Sequence, residues 1–211
     1  MLKAEKPELL EIPTTIQNLK PKIEICHVNG KFFASKSDAD YLESEARISI
    51  NRQKTEDSQN WHFNSNLCPI LDELVAVLVE FGIADVFRIQ MSNDGEDGEI
   101  RKTLVDRERI PFEDTAEFRT KRLVVRDFWR KGYFLADGSR FGGNYLVYTA
   151  SPNLCHAEFV ILCGPVDEPQ RIASLRCCNQ VKKTLLLATT SSESLRPHYT
   201  NCTWFRPELL E

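Results

Sequence analysis

Apolar residues alternate with polar ones through IEICHVNGKFFAS, residues 23–35, and the Asn29-Gly30 pair between the two runs predicts a hairpin. Ser37 followed by Asp38 is a capping signal for a helix over ADYLESEARI, residues 39–48. The next sixteen residues, NRQKTEDSQNWHFNSN, are polar and read as a loop. From Asn66 to Gly82 the period lengthens. Leu71, Leu74, Val75, Leu78 and Val79 then share one face of a helix, and Gly82 is its stop. ADVFRIQM, residues 84–91, returns to strand character.

Residues 93–116 interrupt this pattern with acidic, glycine-bearing and highly charged sequence, so a domain boundary is expected there. Helical spacing resumes from Thr115 to Lys131, with Phe118, Val125, Phe128 and Trp129 as the apolar stripe. Tyr133 to Ala136 and an Asp137-Gly138 turn lead to a strand at Tyr145–Tyr148, then to a proline loop. AEFVILC, residues 157–163, is nearly all apolar, as in a strand covered on both faces. A loop at 164–170, a helix from Arg171 to Lys182, an apolar strand KTLLLAT and a final strand HYTNCTWF complete the chain. The expected class is α/β (α+β): a small N-terminal α/β domain over residues 1–110, with 1–21 a loose lead-in, and a second, mixed-sheet domain with flanking helices over 115–211.

Charge alters this picture more than composition does. The 211 residues are 42% hydrophobic and 27% charged, ordinary for a globular protein, and no apolar run is long enough to span a bilayer. Net charge is −4, yet residues 118–211 hold 13 Lys and Arg against 8 Asp and Glu. A basic second half fits a polyanionic partner. Seven cysteines, an odd number without a CxxC pair or a secretory leader, point to reduced thiols in an intracellular protein. His27, Trp61 and His62 read as structural or surface residues.

Three side chains in the second half carry candidate chemistry. In FGGNYLVYTASPNLCH, residues 141–156, Tyr148 and His156 stand at opposite ends of one short loop. Lys183 stands where a helix gives way to a strand. A phenol, an imidazole and an ammonium suffice to cut RNA without a metal if the 2′-hydroxyl attacks the neighbouring phosphorus. An imidazole, titrating near 6.5, suits the acid for the departing 5′-oxygen, and a lysine suits the charged phosphorane. A phenol near pKa 10 is a base only if neighbouring cations lower it; otherwise it orients the hydroxyl.

The run RDFWRKGYFLADGSRFGGNYLVYTASPNLCHAEFVILC, followed by VKKTLLLAT, resembles the catalytic domain of tRNA-splicing endonucleases. Within that family it is most similar to the smaller eukaryotic catalytic subunit, which cuts the 3′ splice site. A weaker echo lies in NLCPILDELVAVLVEFGIADV. The resemblance implies a restriction-endonuclease-like second domain. It implies catalytic Tyr148, His156 and Lys183, with no metal and no small-molecule cofactor. It implies that Arg176, in the preceding helix, and Trp204, in the last strand, sandwich an intron base by cation–π stacking. The implied partners are precursor tRNA, a second catalytic subunit and two structural subunits, and the implied location is the nucleus. The loop from Thr189 to Pro197 carries a single acidic residue, Glu193, which suits receiving a partner's acidic loop rather than donating one.

The chain departs from the family in two places. Ala150-Ser151-Pro152 replaces a Gly-Asp-Pro, and Leu175 to Asn179 lacks the usual glycines. The competing readings are a subunit cutting the 5′ site, a structural subunit, a non-catalytic tRNA-binding module and a metal-dependent nuclease of related fold.

Overall fold

The computed structural model describes residues 23–50, 67–91, 100–191 and 195–204. The chain divides into two compact units, Met1–Asp114 and Thr115–Glu211. It is an α+β protein in which each unit is built on a five-stranded mixed sheet. The loose lead-in expected at 1–21 and the residues Trp61, His62 and Glu193 lie outside the described residues.

In the first unit the alternation buries Ile23 and Ile25 of β1 (Ile23–Val28) and Phe32 and Ala34 of β2 (Lys31–Ser35). Asn29 and Gly30 both take positive φ in the turn between them, 48° and 75°. α1 (Lys36–Ser44) starts earlier than the sequence signals suggest. Its cap is Ser35, whose hydroxyl accepts the amide of Asp38, and not Ser37. The helix read over Asn66–Gly82 is two elements: an edge strand, β3 (Leu67–Ile70), and α2 (Asp72–Glu80). Pro69 sits within β3, which only an edge strand tolerates, because one side of it need donate no hydrogen bond. β4 (Ala84–Met91) pairs parallel with β1, and β5 (Ile100–Leu104) pairs with β4. The sheet order is β3-β2-β1-β4-β5. β5 lies inside the charged stretch read as linker. Every residue of it is exposed, so it carries no buried alternation to betray it.

The second unit opens on α3 (Ala116–Arg130), capped by Thr115, whose hydroxyl accepts the amide of Phe118. Three antiparallel strands follow: β6 (Phe134–Asp137), β7 (Tyr145–Tyr148) and β8 (Phe159–Cys163). α4 (Glu168–Gln180) then crosses over to β9 (Thr184–Thr189), parallel to β8, and β10 (His198–Cys202) closes the edge. α4 begins three residues before the expected Arg171, because Asp167 caps it through the Gln170 amide and Pro169 is preset for the first turn. Leu146, Val160, Leu162 and Leu185 face α4 and pack with its Cys178. Strand alternation turns Tyr145, Val147 and Ile161 to the other face, against which α3 lies.

Gly143 sets the approach of the chain into β7. A methyl group there would collide with Val160 Cγ1 and stand 2.9 Å from the Ile161 carbonyl oxygen. Gly143→Ala is therefore expected to cost about 1–3 kcal/mol through overpacking, seen as a lowered midpoint in urea unfolding of the full chain. An unshifted midpoint would show that β7 tolerates displacement.

Candidate active site

Strand register brings one end of each of three strands together. β7 is antiparallel to β8, with Val147 opposite Phe159, and the Glu158 amide donates to the Val147 carbonyl at 2.9 Å. β9 is parallel to β8, with Phe159 opposite Thr184, and the Thr184 amide donates to the Glu158 carbonyl at 3.1 Å. Tyr148 ends β7, His156 stands three residues before β8, and Lys183 immediately precedes β9. All three therefore lie at one end of the three central strands of the sheet.

Each is held by different means. Tyr148 is half-buried and packs against the core cluster that includes Leu146 and Leu185. The loop after it is tied into a turn. Ser151 O accepts the amides of Leu154 at 2.8 Å and Cys155 at 3.3 Å, and the Cys155 thiol donates to the Ala150 carbonyl at 3.5 Å. Replacing the family's Gly-Asp-Pro by Ala-Ser-Pro thus leaves a loop bonded through Ser151. Leu154 stands at its tip, 82% exposed, a feature the residue pattern did not single out. His156 is exposed and is not part of β8, while its neighbour Ala157 is buried in the core.

Lys183 owes its place to the end of α4. The Lys183 amide donates to the Cys178 carbonyl at 2.9 Å, and Lys182 takes a left-handed φ of 53°. That pattern normally uses glycine, whose absence here is met by a lysine in the strained position. Lys182 is exposed. Lys183 is half-buried. Its Nζ donates to the Ala157 carbonyl at 3.0 Å and lies 5.6 Å from the centre of the Phe141 ring. The ammonium is thus one residue away from His156.

Burial raises the Tyr148 phenol above its usual value, and Cys155 beside it raises it further. Of the two readings left open for the phenol, this favours orientation over a base lowered by neighbouring cations, because loss of solvent dominates. A group so placed keeps its proton at neutral pH and acts as a hydrogen-bonding partner. Arg176 of α4 places its guanidinium carbon 5.9 Å above the centre of the Trp204 ring. Trp204 lies beyond β10, not within the last strand, because pairing stops at Cys202 opposite Leu185. The indole is 41% exposed, so it is no core cap. Among the described residues, no group of three or more His, Cys, Asp or Glu is placed to hold a metal ion, and no helix is long and apolar enough to cross a membrane.

Residues 118–196 match the tRNA intron endonuclease catalytic C-terminal domain. The matched stretch runs from within α3 past the end of β9 and includes Tyr148, His156, Arg176 and Lys183. The chain is also similar to the mouse tRNA-splicing endonuclease subunit Sen34, 33% identical over 85 residues, which are 38% of this chain and 27% of that protein. The human subunit of the same name is 32% identical over 85 residues, again 38% of this chain and 27% of that protein. The tRNA-splicing endonuclease of Saccharolobus solfataricus is 31% identical over 87 residues, 39% of this chain and 48% of that protein. The chain spans less than half the length of each of these relatives.

Proposed function

We propose that this chain is a catalytic subunit of a tRNA-splicing endonuclease that cuts precursor tRNA at the 3′ exon–intron junction. The observation that carries this is the shared end of three central strands: Lys183 bonds to the Ala157 carbonyl next to His156, at the end of the sheet where β7 finishes on Tyr148. The 2′-hydroxyl attacks the adjacent phosphorus, the bond from phosphorus to the 5′-oxygen breaks, and a 2′,3′-cyclic phosphate and a 5′-hydroxyl result. Tyr148 orients the attacking hydroxyl, whose proton passes to solvent at this half-open site. His156 supplies the proton taken by the leaving oxygen. Lys183 faces the extra negative charge of the phosphorane. The reaction so written needs no metal or small-molecule cofactor.

Arg176 and Trp204 grip an unstacked intron base. A base between them needs roughly 7 Å, two contacts of about 3.5 Å each, so the two side chains part by about 1 Å to admit it. The similarity to the mammalian Sen34 subunits supports a subunit of a tRNA-splicing endonuclease complex. The 3′ site, a nuclear place of action and partnership with a second catalytic subunit and two structural subunits complete the proposal and follow from the family resemblance of the sequence. The test is cleavage of intron-bearing precursor tRNA by the reconstituted complex, with EDTA present and the new ends analysed. Cutting that persists and leaves a cyclic phosphate at the 3′ junction is expected. Linear phosphate ends, or activity abolished by EDTA and restored by a divalent ion, would overturn the metal-free reading. Cutting at the 5′ junction alone would reassign the subunit.

A further inference from the structure

α3 buries Thr120, Leu123, Val124, Val125, Phe128 and Trp129, and what this leaves outward is a row of arginines. Arg119, Arg122 and Arg130 are exposed and Arg126 is half-buried. At about 100° per residue the four fall within roughly 80° of one another, and from first to last they span about 16 Å along the helix. The acids of α3 lie off this row and are engaged by lysines. Glu117 pairs with Lys121 at 2.6 Å, and Asp127 pairs with Lys131 at 2.7 Å while accepting the Tyr199 hydroxyl at 2.8 Å. Arg126 donates to the Leu195 carbonyl at 3.2 Å, which fixes its stem along the helix surface.

We infer that the arginine row of α3 is an anchoring surface for the sugar–phosphate backbone of a base-paired RNA stem, distinct from the cutting site. Planar guanidinium forks match phosphate oxygens in pairs, and one row of them on a rigid helix tracks a regular backbone better than it tracks a single anion. Side chains cannot read the deep groove of A-form RNA, so contact with a stem is made through phosphates and 2′-hydroxyls. This inference rests on RNA being the substrate, and it adds that the body of the molecule is held here, independently of its sequence.

The probe is fluorescently labelled, intron-free mature tRNA, which binds without being cut. It is titrated with the full chain between about 50 and 200 mM salt. Changing Arg119, Arg122 and Arg130 together to Gln is expected to weaken binding about tenfold or more and to lower the slope of log affinity against log salt by about 2–3. Changing all three to Lys is expected to keep most of the slope, since the charge remains. Should the triple Gln variant fail to fold, Arg130→Gln alone is expected to lower the slope by about 1. Unchanged affinity and slope in a folded variant overturn the inference, and so does a variant that binds tRNA normally but no longer co-elutes with the other subunits, which would make the row a protein contact. Cleavage is scored separately. Arginine-dependent tRNA binding by a chain that cuts nothing keeps the anchor and rejects the proposed activity; cutting with arginine-independent binding does the reverse.

Discussion

His156→Ala is expected to slow cleavage of precursor tRNA by about 10²–10⁴-fold while leaving KM near that of the wild type. The departing 5′-oxygen leaves as an alkoxide unless a proton reaches it, and His156 is the exposed residue next to Ala157, whose carbonyl the Lys183 ammonium bonds. In the proposed mechanism substrate is gripped elsewhere, so the loss belongs in kcat. The ring is outside the core, and Ala157 rather than His156 closes the loop against it. Thermal unfolding of the variant should therefore match the wild type, which separates a chemical defect from a folding one. Added imidazole is expected to restore part of the rate. Wild-type cleavage by the folded variant would remove the imidazole from the reaction and favour a chain that only binds tRNA.

Lys183→Met is expected to lower kcat by about 10²–10³-fold, the cost of removing one preorganised charge from the site where charge develops. Methionine keeps an apolar stem beside Phe141 but loses the bond to the Ala157 carbonyl, which costs about 1 kcal/mol of stability. Lys182→Ala is the control. Its side chain is exposed in a left-handed turn, so the rate should stay near wild type. Equal losses in the two variants would mean that the basic pair acts only as general positive charge. Single-turnover cleavage of the same substrate reads both.

The placement of the residues in these two predictions at changes of element could be read from the sequence, and the reason is local; their roles are the proposal's. Tyr148, His156 and Lys183 stand at changes of element that turn residues mark: a glycine turn before β7, a proline loop before β8, and a helix giving way to an apolar strand at β9. α3 was equally plain, because Thr115 caps a long amphipathic run. The failures arise where tertiary context overrides a local pattern. β3 hid in the helix pattern because Pro69 argues against a central strand and only its place at the sheet edge makes it possible. β5 hid because an exposed edge strand need not alternate. The direction of the Tyr148 shift could not be read from neighbours in sequence, since it depends on how much water the folded core excludes. Arg176 and Trp204, paired in advance by the family resemblance and not by any local pattern, meet through the crossover of α4 and the antiparallel return of β10.

The bond from the Lys183 amine to the carbonyl beside His156 acts as a leash. In the proposed mechanism it ties the cation to the backbone that carries the proton donor, so the two are expected to move together more than two independently mounted groups would. Damage to one is then felt by the other, and the energies of the two substitutions will not simply add.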